Sequence, residues 1–278
     1  MSELTPDHRN AGEGTSRQRR RMCVGLIGHG HVGQTVTSML TASVPDVELG
    51  PILVSGRTSS SHANATTRFE ELLEQRPDVV IECAGQQALR EYGPALLANG
   101  INVVASSVGA LADSDTFEQF CIAVRSSPTA IRLIVPSGAI AGLDAIAAAR
   151  LCGTIDTVRY TQIAPARAFP DVHLESCDRA LVFRGSAREA AQRFPHNANV
   201  TAAIAFAGLG LERTVVEVHV DQSVQSTMHI IRVESRDSEI ETITMNLPTA
   251  PGARSSRLVA GSCVCAAIQG GFSIRFGA

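Results

Sequence analysis

This chain has few aromatic residues and no excess of charge of one sign. It has no tryptophan, only two tyrosines, and an aromatic content of 4% over 278 residues. Its 24 basic and 27 acidic residues nearly balance and give a formal net charge of −3. A nucleic-acid-binding protein concentrates lysine and arginine to neutralise phosphates, and it often stacks bases on aromatic rings. The composition therefore argues against a nucleic-acid partner.

Long apolar runs and a regular cysteine pattern are also missing. No stretch approaches the roughly 18 apolar residues that a membrane-spanning helix needs, so we expect no contact with a membrane. The seven cysteines are odd in number and scattered, which is typical of reduced thiols in the cytoplasm. Cys263 and Cys265 are too closely spaced for the usual zinc-binding pairs. We expect a cytoplasmic protein without a metal site.

The length of the chain favours two domains, because one domain usually takes about 100–200 residues. Residues 1–21 are polar and end in a cluster of four arginines, with no apolar segment behind them as in a secretory signal. We expect this segment to be a disordered polar and basic tail.

Short apolar runs alternate with helical patterns from Met22 to Pro136. The predicted strands are Cys23–Ile27, Val47–Val54, Val79–Cys83, Ile101–Ala105 and Ile131–Val135, and the predicted helices are Gln34–Leu40, Arg68–Gln75, Leu89–Asn99 and Ser114–Ser126. Such alternation predicts an α/β domain with a doubly wound, mostly parallel sheet, which is the Rossmann architecture, over residues 22–136.

The pattern becomes rich in strands after Pro136. We predict strands at Thr157–Ile163, Thr214–Val220, His229–Glu234 and Glu239–Leu247, and helices at Ala187–Arg193 and Val200–Ala207. Residues 137–256 should therefore form an α+β substrate domain with a mixed or antiparallel sheet. Residues 257–278 should form a C-terminal helix that returns to the first domain.

A glycine-rich turn follows the first predicted strand. Residues 28–33 read G-x-G-x-x-G between a strand and a helix, which is the context of a dinucleotide-binding turn. Gly28 should allow the tight turn, Gly30 the approach of a pyrophosphate, and Gly33 close packing of the helix on the strand. His31 and Val32 should contribute backbone N–H groups at the start of the helix.

The end of the second strand bears on the choice of nicotinamide cofactor. NAD enzymes usually hold the ribose 2′-hydroxyl with an acidic residue there, whereas this chain has Ser55, Gly56 and Arg57. A guanidinium suits a 2′-phosphate, so we expect NADP, alone or alongside NAD. An ordinary surface arginine is the other interpretation of Arg57.

Five segments, taken together and in this order, resemble the L-aspartate dehydrogenase family. The resemblance extends from about residue 22 to the C-terminus. The segments are Glu82-Cys83-Ala84-Gly85, Ser106-Ser107-Val108-Gly109-Ala110-Leu111, Pro136-Ser137-Gly138-Ala139-Ile140, Gly185-Ser186-Ala187-Arg188-Glu189-Ala190-Ala191 and Phe194-Pro195-His196-Asn197-Ala198-Asn199-Val200.

The resemblance implies oxidation of L-aspartate at Cα by NAD or NADP. The product would be iminoaspartate, which hydrolyses to oxaloacetate and ammonia or feeds NAD biosynthesis. It also implies that His229 is the catalytic histidine and that Ala84, Gly85, Ala139 and Asn199 contact the cofactor. An asparagine side chain offers a donor and an acceptor, as a carboxamide partner requires, and a histidine titrates near neutral pH.

Substrate anchoring is where the chain departs from the family. Relatives often carry a basic pair before a proline, where this chain has Ile163-Ala164-Pro165. Arg167 could compensate, because arginine binds carboxylates bidentately, but a surface role is equally compatible. His196 and Asn197 are further candidates for contact with the substrate.

Two alternatives remain open from the sequence. One is another two-domain reductase, of the dihydrodipicolinate reductase or homoserine dehydrogenase type. The other is a nucleotide-binding sensor without turnover. Because such dehydrogenases are usually dimers or tetramers, we expect a homodimer or homotetramer.

Overall fold

The computed structural model describes residues 20–44, 46–56, 62–153, 155–169, 172, 174, 178–195, 197–247 and 256–268. The expected tail over residues 1–21 lies almost wholly outside this part, and so do Arg57 and His196. Among the described residues, no helix is both long enough and apolar enough to cross a membrane.

The first half of the chain forms a six-stranded, wholly parallel sheet of order β3-β2-β1-β4-β5-β6. Its strands are β1 (Met22–Ile27), β2 (Val47–Leu53), β3 (Ala65–Thr66), β4 (Val79–Glu82), β5 (Asn102–Ala105) and β6 (Leu133–Ile134). Its helices are α1 (His31–Ser43), α2 (Phe69–Glu74), α3 (Gln86–Ala98) and α4 (Ser114–Ser126), and a 3₁₀ helix spans Val108–Ala112. The predicted α/β Rossmann architecture is confirmed.

Helices cover both faces of this sheet, which explains its apolar strands. A parallel strand buried on both sides reads as a continuous apolar run rather than as an alternation. Val79, Val80 and Ile81 of β4 are accordingly all buried. The strand order changes direction between β1 and β4, and ligands of doubly wound sheets bind outside the carboxyl ends of the strands at such a point.

The second half forms a five-stranded mixed sheet of order β11-β10-β7-β9-β8. Its strands are β7 (Ile155–Pro165), β8 (Arg179–Ser186), β9 (Thr214–Asp221), β10 (Met228–Ser235) and β11 (Glu239–Met245), and its helices are α5 (Leu143–Leu151), α6 (Ala187–Arg193) and α7 (Ala198–Ala207). The strand β7 pairs parallel with β9, and the other neighbours pair antiparallel. The three helices pack on one face of this sheet.

The last helix, α8 (Arg257–Ile268), packs against α1 and the first sheet. Ala260 and Cys263 of α8 are buried in the same cluster as Val24 and Leu26 of β1. One core of the parallel sheet is thus completed by residues from the far end of the chain.

Besides short 3₁₀ helices, the structure adds two strands and one α-helix that the sequence pattern does not predict. They are β3, α5 and β8. The helix α5 carries three consecutive alanines and has no strong apolar stripe, while β8 contains an irregularity in register between Leu181 and Phe183 that interrupts its alternation. Both features remove the periodicity on which prediction depends.

Candidate active site

The glycine turn forms an open cradle at the end of β1. Gly28 has a φ of +96°, and a Cβ there would lie 2.8 Å from the Cβ of Ala84. A Cβ on Gly33 would lie 2.3 Å from the carbonyl oxygen of Gly28, so only glycine lets α1 approach so closely. A Cβ on Gly30 would meet nothing within 4 Å. Two glycines therefore shape the turn, and the third leaves bare backbone facing open space.

A cavity of about 650 Å³ opens beside this turn. Gly28, Gly30, Ser55, Ala84 and Tyr92 are among the residues on its wall. The α1 helix begins here with no acidic side chain in its first turn, so its free N–H groups and the positive end of its dipole can meet an anion. Bare backbone, free N–H groups and sufficient volume fit the pyrophosphate of a dinucleotide.

Glu82 holds the two loops that follow β4 and β5, a role that the sequence analysis missed. The buried carboxylate accepts hydrogen bonds from the N–H groups of Ala84 (2.8 Å), Gly85 (2.8 Å) and Ser107 (3.0 Å), and from the Ser107 hydroxyl (3.0 Å). Burial raises the pKa of Glu82, and these hydrogen bonds oppose that rise. Glu82 thus fixes the backbone of Ala84 and Gly85, two of the predicted cofactor contacts.

A second cavity of about 310 Å³, called the cleft below, lies between the two sheets. Its wall includes residues of both halves of the chain, from Val32 at the start of α1 to His229 on β10. Since Gly30 lines the first cavity and Val32 the cleft, the two spaces flank the first turn of α1. Six predicted site residues lie on the wall of the cleft: Val32, Ala139, Arg167, Asn197, Asn199 and His229.

His229 is held in the cleft by a tyrosine. Its side chain is 8% exposed, and its Nδ1 lies 2.7 Å from the hydroxyl of Tyr160. The same hydroxyl lies 3.3 Å from Oε1 of Gln162. Burial lowers the pKa of His229 to about 4, so the ring is neutral at pH 7 and can accept a proton. Neither Tyr160 nor Gln162 was singled out from the sequence.

Asn199 and Asn246 each use one side-chain atom to hold a backbone group in place. Oδ1 of Asn199 accepts a hydrogen bond from the N–H of Gly109 (3.0 Å), which joins α7 to the 3₁₀ helix of the first half. Nδ2 of Asn246 donates to the carbonyl of Ala139 (2.9 Å). With its oxygen engaged, Asn199 offers its NH₂ group to the cleft as a donor.

Arg167 is the single lysine or arginine among the described residues that line the cleft. It lies in the 3₁₀ helix Ala166–Ala168, directly after β7, and its Nη2 donates to the carbonyl of Gln225. This contact holds the guanidinium beside the cleft, and no other hydrogen bond to it is seen within the part of the chain that the structure describes. Within the described ranges, no three histidine, cysteine or acidic side chains gather in the manner of a metal site.

The glycine turn that can hold a dinucleotide adjoins a cleft with a buried, neutral imidazole. This combination defines a class of protein. Hydride transfer needs the nicotinamide end of the cofactor placed against a substrate, and proton transfer needs a base within reach. The fold and the site are those of a nicotinamide-dependent dehydrogenase with two domains.

Comparison with known proteins narrows this class. Residues 144–269 match the family described as aspartate dehydrogenase, C-terminal, and residues 28–136 match the NAD-binding domain of homoserine dehydrogenase. L-aspartate dehydrogenase 1 of Bordetella pertussis is 37% identical over 254 residues, which cover 90% of this chain and 96% of the relative. The enzyme of Ruegeria pomeroyi is 37% identical over 92% of this chain and 94% of its own length.

Solved structures agree with these relatives. The crystal structure of aspartate dehydrogenase from Thermotoga maritima superposes with a TM-score of 0.76 at 26% identity and covers 92% of this chain and 100% of its own. A dihydrodipicolinate reductase from Paenisporosarcina shares the fold, with a TM-score of 0.54 at 12% identity, over 90% of this chain and 94% of its own. The chain belongs to the L-aspartate dehydrogenase family.

Proposed function

We propose that this protein oxidises L-aspartate at Cα to iminoaspartate, with NAD or NADP as the hydride acceptor. The reaction is reversible, so oxaloacetate and ammonia are the substrates of reductive amination. The observation that carries the proposal is the neutral imidazole of His229, placed in a cleft that adjoins the glycine cradle.

His229 acts as the general base in this proposal. The substrate amine enters as an ammonium group, and the imidazole takes one of its protons at Nε2 to give the free amine and an imidazolium. A bound nicotinamide would supply the acceptor for the hydride that leaves Cα, as the nitrogen lone pair forms the C=N bond. In the reductive direction, His229 returns the proton.

Backbone groups would hold the pyrophosphate end of the cofactor. Gly28, Gly30, His31, Val32 and Gly33 present the turn and the start of α1 to the pyrophosphate. The loop of Ala84 and Gly85, fixed by Glu82, lies beside it.

The nicotinamide carboxamide is received at the other end of the cofactor site. The NH₂ group of Asn199 would donate to the carboxamide oxygen, and Ala139 would border the ring. Arg57 lies outside the described residues, and its contact with a 2′-phosphate stays a prediction from the sequence.

The substrate carboxylates need a cation, and Arg167 supplies it in this proposal. The fork of a guanidinium matches a carboxylate, and its contact with Gln225 holds it at the wall of the cleft. Asn197 also lines the cleft and contributes a polar contact. His196, next to Asn197 in sequence, is kept as a substrate contact from the sequence alone.

A second copy of this chain is the partner that we propose, as a homodimer or homotetramer. The face of the second sheet away from its helices carries Met228, Ile230, Ile243 and Met245 on neighbouring positions of β10 and β11. Ile243 and Met245 are 57% and 61% exposed. Contiguous apolar surface of this kind marks association sites. The odd, scattered cysteine set supports a cytoplasmic location.

Turnover measured at the absorbance band of the reduced nicotinamide tests the function. The purified protein should reduce NAD or NADP with L-aspartate and oxidise the reduced cofactor with oxaloacetate plus ammonium. His229→Ala should lower kcat by about 10²–10⁴-fold, the usual contribution of a positioned base, and leave cofactor affinity nearly unchanged. His219→Ala, on the opposite face of the same sheet, is the matched control.

Two results would contradict the proposal. Binding of the cofactor without turnover in either direction would indicate a sensor. Equal loss of turnover and of cofactor binding in His229→Ala would show that His229 is structural.

A further inference from the structure

Three side chains of the second sheet converge behind the proposed base. His229 on β10 lies directly opposite Gln162 on β7, and Ile231 lies opposite Tyr160. Side chains two residues apart in a strand share a face, so Tyr160, Gln162 and His229 all project to the side of the sheet that borders the cleft. All three line the cleft and all are buried.

The tyrosine hydroxyl is shared between two partners. It lies 2.7 Å from Nδ1 of His229 and 3.3 Å from Oε1 of Gln162. The amide oxygen of Gln162 can only accept a hydrogen bond, whereas Nδ1 can donate or accept according to the tautomer. The hydroxyl has a single proton, so it cannot donate to both partners.

With Oε1 of Gln162 facing the hydroxyl, one arrangement of protons satisfies both contacts. In it, Nδ1–H of His229 donates to the Tyr160 oxygen, and the Tyr160 hydroxyl donates to Gln162. The reverse arrangement, with the hydroxyl donating to Nδ1, leaves two buried acceptor oxygens facing each other without a proton between them. Buried polar groups left in this way are costly, which favours the first arrangement.

We propose that Tyr160 and Gln162 are positioning residues that fix the tautomer of His229, with the proton on Nδ1 and the lone pair of Nε2 open to the cleft. The inference deepens the proposed function, because it assumes that His229 is the base. Gln162 accepts the hydrogen bond of the Tyr160 hydroxyl. The Tyr160 oxygen then accepts a hydrogen bond from Nδ1–H of His229.

This arrangement also suits the protonated state of the base. An imidazolium carries protons on both ring nitrogens, so proton uptake at Nε2 leaves the Nδ1–H···O contact unchanged. No side chain has to turn during the reaction. Burial raises the pKa of the Tyr160 phenol, so its hydroxyl keeps its proton and does not compete as a base.

The tautomer can be observed directly by NMR, without any turnover. Protein labelled with ¹⁵N-histidine contains eight histidines, and the ring signals of His229 are those lost in His229→Ala. In a long-range ¹H–¹⁵N correlation spectrum at pH 7, Nδ1 of His229 should show the shift of a protonated nitrogen and Nε2 that of an unprotonated one. The opposite assignment would overturn the inference, whatever the enzyme proves to oxidise.

Two variants test which residue sets the direction. In Gln162→Leu the hydroxyl keeps Nδ1 as its one acceptor, so the proton of His229 should move to Nε2. In Tyr160→Phe the contact is lost, and kcat should fall about 100-fold, the lower end of what a positioned base contributes, with a smaller change in KM. Thr161→Val removes a hydroxyl from the opposite face of β7 and should change neither quantity.

The variants also give results that would contradict the inference. If Gln162→Leu kept the proton on Nδ1, Gln162 would not set the tautomer. If Tyr160→Phe kept the wild-type kcat, the hydroxyl would not position the base. The spectrum of the unaltered protein stands apart from both, because it does not depend on whether Gln162→Leu or Tyr160→Phe folds.

Discussion

Gly30 and Gly33 belong to one sequence motif but perform different physical tasks. A side chain on Gly33 would collide with the carbonyl oxygen of Gly28 at 2.3 Å, whereas one on Gly30 would project into open space. The first constraint concerns the fold and the second concerns the ligand. Alanine substitutions should separate them.

Gly30→Ala should leave the free energy of unfolding nearly unchanged and weaken cofactor binding. A methyl group there keeps a pyrophosphate from the backbone N–H groups, and the loss of one charge-assisted hydrogen bond costs about 1.5–3 kcal/mol, roughly 10- to 100-fold in Kd. Gly33→Ala should destabilise the fold by about 1–3 kcal/mol, as overpacking does. Fluorescence titration with NADH and NADPH measures the first effect and urea unfolding the second. Tight binding by Gly30→Ala would contradict the proposed pyrophosphate position.

The residues that the sequence missed were hidden for different reasons. Glu82 ends an apolar strand and looks like the point where the strand reaches solvent, yet it is 1% exposed. The role of Tyr160 and Gln162 depends on the pairing of β7 with β10, a strand that begins 66 residues after Gln162. Strand register over such a distance is a tertiary property that no local pattern encodes.

At the scale of elements, local signals located most helices and strands well. The helix α4 spans Ser114–Ser126 and α6 spans Ala187–Arg193, as the sequence predicts. Asp113 caps α4 through the N–H of Thr116, and α6 begins with a complete capping box. Local signals could not predict that β7 pairs parallel with β9, because an alternating pattern predicts a strand but not its partner.

Asp221, the last residue of β9, links this strand to Arg179 at the start of β8. Its carboxylate accepts hydrogen bonds from the hydroxyl of Ser223 (2.6 Å) and from Nε of Arg179 (2.6 Å), and these contacts lower the pKa of Asp221 to about 2 from 3.8. Because the pKa is lower in the folded state, the stabilisation is complete above pH 3.8 and disappears as the pH falls towards 2.

Asp221→Asn should therefore be less stable than the unaltered protein at pH 7, and the difference should shrink as the pH falls below 3.8. Midpoints of urea unfolding across this range measure the change. Asp156→Asn, an exposed position on β7, serves as the control and should follow the unaltered protein. A difference that stays constant with pH would show that the charge of Asp221 is not the cause.

At the scale of the whole molecule, the uncovered face of the second sheet predicts self-association. Ile243→Arg places a charge among Met228, Ile230 and Met245, so an interface there should lose affinity. Analytical ultracentrifugation should show a homodimer or larger species for the unaltered protein and a lower mass for Ile243→Arg. Leu151→Arg, at an apolar position that is 85% exposed at the end of α5, should leave the mass unchanged. The same mass for all three proteins would place any interface elsewhere.

The return of α8 to the first sheet has a consequence for biosynthesis. Residues of β1 are made long before those of α8, yet the side chains that bury Val24 and Leu26 include Ala260 and Cys263. While the second sheet is translated, one apolar face of the nascent Rossmann half is therefore covered by α1 but not yet by α8. That half is complete only once α8 has been made, so a chaperone that shields exposed apolar surface can act in the interval before α8 docks.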